Sequence, residues 1–176
     1  MGLSWFSTPS PLEESFLKQD EVDILRSGDL MLGSKTGIDE TVFGGGESWS
    51  CVAVLVYHNG TLFAFDGDFI SLSEFVSRYA SCVTRPVHCQ RHVHFEKALL
   101  HAANRSIGML ARAGVVVPEA RSSFIVARVL HMMDLLDEHS LAYPWMPLDF
   151  SSSSAKLSRY GSNRAFSADC RSLCSE

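Results

Sequence analysis

Apolar and polar positions alternate along this chain in blocks cut by glycine, proline and asparagine. The stretch from Ser48 to Val56 is apolar after its first residues, with Gly44-Gly45-Gly46 before it and Asn59-Gly60 after it. That pattern predicts a buried strand over Val52 to Tyr57. A partner strand is predicted at Thr61 to Asp66, because Asn-Gly accepts positive φ at both central positions of a tight hairpin. Leu30-Met31-Leu32 opens an earlier strand after the turn Ser27-Gly28-Asp29, and Ser81 to Val87 reads as a later one. The glycine-rich stretch from Gly33 to Glu47 reads as a flexible loop. Helices are predicted at Leu12 to Leu25, at Ser71 to Tyr79 with Ser71 or Ser73 as cap, at Phe95 to Ala113 and at Glu119 to Leu136. Gly114 stops the third of these. No internal repeat is present. One helix, a block of strands and two late helices make an α+β chain. The expected division is an arm at 1–11, a domain at 12–150 and a serine-rich polar tail at 151–176.

Length and charge narrow the function classes. A chain of 176 residues, 46% apolar, can bury the core of one domain. A net charge of −5 lacks the concentrated positive face that nucleic-acid binding needs. No run is long and apolar enough to span a membrane. Phe6 stands where a myristoylation signal at Gly2 wants Ser or Thr. Five cysteines at irregular spacing, with no signal peptide, are expected as reduced thiols in the cytoplasm or another reducing compartment.

Several phrases stand in a meaningful order. Leu25-Arg26-Ser27-Gly28-Asp29-Leu30-Met31-Leu32 is a Gly-Asp-hydrophobic opening strand, Ser50-Cys51-Val52-Ala53-Val54 begins the next, and Phe63-Ala64-Phe65-Asp66 ends in an acid. Ser122-Ser123-Phe124-Ile125-Val126-Ala127 opens a late helix, and Pro147-Leu148-Asp149-Phe150 closes the series. Across Leu25 to Phe150 the chain resembles the permuted NlpC-type papain-like cysteine hydrolases, in the branch that includes YiiX-like proteins and lecithin retinol acyltransferase relatives. The resemblance implies a papain-like fold, an antiparallel sheet packed against helices. It also implies a histidine base at Cys51, an orienting residue at Asp66 and a cysteine nucleophile at Ser122. Both reacting positions are therefore substituted.

Those substitutions change the chemistry. A papain-like thiol attacks as a thiolate stabilised by an imidazolium and a helix terminus. Ser122 is far harder to ionise and needs a base within hydrogen-bond reach. Cys51 is a poor base, since an ordinary thiol with a pKa near ~8.5 is mostly protonated at neutral pH. Each position also has a purely structural reading. Cys51 reads as a small buried hydrophobe, Ser122 as a cap or first-turn residue of its helix, and Asp66 as the side chain that closes the Gly67 turn.

A second cluster, His88-Cys89-Gln90-Arg91-His92-Val93-His94, offers His92, His94 and Cys89 as metal ligands, though the spacing fits no standard zinc module. Cys170 and Cys174 lie in the polar tail, and Ser151 to Ser154 reads as a flexible linker or a phosphorylatable segment. No cofactor is implied.

Two functions from different classes follow. One is an inactive papain-like domain serving as a binding or structural subunit of a larger assembly, with protein partners and a groove for a peptide or lipid-like group. The other is a hydrolase or acyltransferase with a relocated dyad, using His92, His94 or His131 as base. His131 lies nine residues beyond Ser122, about 13 Å along a helix axis, too far to serve it.

Overall fold

The computed structural model describes residues 25–35, 49–89, 94–113, 118–136, 145–151 and 157–165. The expected arm, the expected helix up to residue 24, His92, Cys170 and Cys174 lie outside the described residues.

Strands β1 (Leu30–Ser34), β2 (Cys51–His58), β3 (Thr61–Phe65), β4 (Phe69–Ser71), β5 (Ser81–Arg85) and β6 (Arg164–Ala165) form one sheet in the order β4-β3-β2-β1-β5-β6. Every pairing is antiparallel. Helix α1 (Leu72–Ser77) follows β4, and α2 (Phe95–Ala113) and α3 (Pro118–Met132) follow β5. The architecture is thus α+β, an antiparallel sheet with helices.

The continuous apolar runs of β1 and β2 exist because both faces of the central sheet are covered. Successive strand side chains point to opposite faces. Leu30, Leu32, Val52, Val54 and Val56 join one core with Leu99 of α2 and Ile125, Val129 and Leu130 of α3. Met31, Cys51, Ala53 and Leu55 join another with Leu72, Phe75 and Val76 of α1. Phe75 is fully buried there, and removing such a ring costs about 3–5 kcal/mol.

Local signals explain most element boundaries. Asn59 (φ 49°) and Gly60 (φ 80°) both take the left-handed region, which closes the β2–β3 hairpin. Ser71 caps α1, its hydroxyl accepting the Glu74 amide at 3.2 Å. The expected helix at Glu119 to Leu136 ends sooner, at Met132. Asp134 turns left-handed (φ 57°) and the Leu135 amide bonds back to the Leu130 carbonyl at 2.8 Å. The strand expected at Ser81 to Val87 stops at Arg85 because Pro86 has no amide to donate, and Val87 resumes only as an isolated bridge to Tyr160. Gly33, expected to begin a loop, instead lies inside β1 and pairs with Cys51 on one side and Cys82 on the other.

Residues 157–165 fall in the stretch expected as a polar tail, and here they belong to the packed unit. Leu157 and Tyr160 are buried, and β6 pairs with β5. Arg85 holds this segment. Its Nε donates to Gly161 O at 2.6 Å, Nη1 to Phe150 O and Ser151 O at 2.9 and 3.1 Å, and Nη2 to Leu157 O and Tyr160 O at 3.2 and 3.4 Å. The Tyr160 hydroxyl in turn donates to Gly28 O at 2.9 Å.

Candidate functional site

The β2–β3 register pairs Val54 with Phe65, so Asp66 emerges from β3 beside the start of β2, where Cys51 stands. The Cys51 thiol donates to Asp66 Oδ2 at 3.7 Å. Asp66 Oδ1 meanwhile accepts the Asp68 amide at 3.3 Å. One Asp66 oxygen thus closes the turn, as the structural reading expects, and the other faces the thiol. Gly67 sits in that turn at φ 122°, and a Cβ there would meet Ile125 of α3 at 2.9 Å. Glycine thus lets α3 press onto the turn that positions Asp66.

Helix α3 is described from Pro118, which places Ser122 beyond its first turn. The cap or first-turn reading of Ser122 is corrected accordingly. The Ser122 hydroxyl accepts the Val52 amide at 3.4 Å, where β3 has already ended and can offer no carbonyl. A buried amide without a partner is costly, so this bond has a structural reason of its own. Ser122 also hydrogen-bonds the Cys51 thiol.

A fourth residue completes the group, and the sequence reasoning missed it. Tyr79, just past α1, hydrogen-bonds Cys51. Its ring lies over Gly33, where a Cβ would come within 2.5 Å of it. Gly33 is the residue that pairs with both Cys51 and Cys82. The two cysteines thus flank the tyrosine ring, two strand spacings apart, roughly 9–10 Å between Cα atoms and beyond disulfide reach. A glycine inside a strand is the one sequence signal for such a close approach, but it does not say which ring comes.

The electrostatics favour neutral forms. Burial pushes the Cys51 thiol up to about 11, the Asp66 charge adds to this, and hydrogen bonds from Tyr79 and Ser122 oppose it. Only about one thiol in ten thousand is then ionised at pH 7. Burial likewise raises Asp66, against the Asp68 amide, and raises Tyr79, with its bond to Cys51 adding to the effect. The arrangement links Tyr79, Cys51 and Asp66 by hydrogen bonds and favours the protonated thiol. Among the described residues, none of the partners shown for the Cys51 thiol is an imidazole.

The other candidates lie elsewhere. Phe95, the residue after His94, packs its ring on Gly28, whose amide bonds Leu55. Leu55 is four residues along β2 from Cys51, about 13 Å. Cys89 follows His88, whose amide bonds Arg159 O at that same far end. Among the described residues, no group of three His, Cys, Asp or Glu side chains is placed to hold a metal ion.

No family model matches this chain, and no curated protein does. A similar solved structure is the metalloprotein YiiX from Escherichia coli O157:H7, at 17% identity and a TM-score of 0.37, over 46% of this chain and 49% of that one. The match spans about half of that protein's length, and nothing about chemistry is drawn from it.

Proposed function

We propose that this chain is a catalytically inactive papain-like domain of the NlpC type, acting as a binding or structural subunit of a larger assembly. One observation carries the reading. The thiol at the start of β2 is buried, donates to a carboxylate and is pushed up to about 11. A general base must accept a proton near neutral pH. This thiol already holds one, and the residue that reaches it from α3 is a serine. The papain-like assignment itself rests on the order of the sequence motifs.

The test is an acylating probe for reactive thiols and hydroxyls, applied to the native protein and to the double variant Cys51→His with Ser122→Cys. The native protein is expected to remain unlabelled at both positions, and the double variant to label at position 122. Labelling of the native protein at Cys51 or Ser122 sinks the inactive reading in favour of a retained hydrolase or acyltransferase.

A further inference from the structure

The far end of the sheet from Cys51 carries a cleft of about 640 Å³, within the size range of small-ligand sites. It opens where the start of α2 meets the end of α3. Phe95 and Leu135, both buried, and the half-buried Met132 and Met133 give it apolar walls. Methionine thioethers are flexible and polarisable, so this surface can fit a hydrophobic body of varied outline. Part of the lining is polar. His88 and Arg159 are held side by side there, the His88 amide donating to Arg159 O at 2.7 Å. Arg85 and Tyr160 fix the segment that carries Arg159.

Among the described residues the Arg159 guanidinium has no carboxylate or side-chain hydrogen-bond partner. It is a permanent cation with a fork of donors suited to a planar anion. Asp134, in the left-handed region two residues past the end of α3, also lines the cleft, and its carboxylate repels a second negative group.

We propose that this cleft is a binding site for a small amphiphile with one anionic group. The anion sits on Arg159 beside His88, and the apolar body lies against Phe95, Met133 and Leu135. The site is independent of any reactivity at Cys51.

The test uses the full-length protein and 1-anilinonaphthalene-8-sulfonate, an aromatic monoanion whose fluorescence reports binding, with N-phenyl-1-naphthylamine as its uncharged counterpart. Saturable binding of the sulfonate is expected, with weaker binding of the amine. Arg159→Gln is expected to weaken sulfonate binding about tenfold, the loss of one charge-assisted contact. Ala98→Trp, at an exposed α2 position lining the cleft, is expected to abolish binding while leaving the melting temperature unchanged. Cys89 also lines the cleft, so bound sulfonate is expected to slow its alkylation by N-ethylmaleimide, read by peptide mass. Binding that survives Ala98→Trp, or Cys89 alkylation unchanged at saturation, overturns the site. Equal affinity for sulfonate and amine overturns the anionic group.

Discussion

Two buried polar groups lie near opposite ends of β1, and the protein treats them in opposite ways. Arg85 pairs across from Leu30 and Cys51 across from Gly33. Arg85 is 4% exposed and carries a permanent charge, yet five backbone carbonyls receive its donors. Cys51 is 6% exposed and is kept neutral, its proton shared toward Asp66. Burial lowers the pKa of the first group and raises that of the second, so in both it acts against charge. The guanidinium stays ionised because its ordinary value is so far above neutrality. Its charge is therefore spent on holding the chain together. The thiol lies close enough to neutrality for its surroundings to decide its state, and they decide against ionisation.

The contrast breaks most visibly at Arg85. Arg85→Met fills a similar volume but strands the carbonyls of Phe150, Ser151, Leu157, Tyr160 and Gly161. Unsatisfied buried acceptors cost about 1–3 kcal/mol each and relax jointly, so the expected loss is on the order of 3–5 kcal/mol in urea unfolding. Amide exchange should quicken at Tyr160 and Gly161 before the rest of the sheet. Uniform exchange across the sheet would mean that Arg85 does not hold this segment.

A smaller effect is expected at the thiol, and only in alkali. The folded state holds the Cys51 proton more tightly than the unfolded chain, whose thiol titrates near its ordinary 9.0. Stability from this site is full below pH 9 and falls as pH rises from 9 toward about 11. The loss across that window is on the order of 2–3 kcal/mol. Cys51→Ala should remove that decline while leaving the others in place. Parallel stability curves for the native protein and the variant between pH 8 and pH 11 would show that the thiol is not held protonated.

The sheet and its helices were legible because their signals are local. The apolar run of β2, the Asn59-Gly60 turn and the apolar spacing of α2 each lie within one short window. Cys51, Asp66 and Ser122 were singled out through the order of their motifs, and Cys51 contacts the other two in the structure. Tyr79 was not, since its place depends on the register of three strands around a residue with no side chain. Arg85 was hidden for a related reason: its partners are carbonyls 65 to 76 residues away, and a carbonyl leaves no mark on residue type. The early end of α3 turned on Asp134, a residue that tolerates the left-handed region without announcing it.

Gly33 gives the finest test, because it touches the thiol site without belonging to it. Gly33→Ala places a methyl group where the Tyr79 ring now lies, at 2.5 Å. Overpacking of this kind costs about 1–3 kcal/mol. The ring should swing away, taking with it a hydrogen bond and part of the cover over Cys51, and native-state alkylation of that thiol should accelerate. The double variant Gly33→Ala with Tyr79→Ala separates a steric clash from simple loss of backbone freedom. If the clash is the cause, the double variant is more stable than the sum of the single changes allows, by about 1 kcal/mol. Strict additivity would place the cost of the alanine elsewhere in β1 and leave Tyr79 as a neighbour of Cys51 rather than its cover.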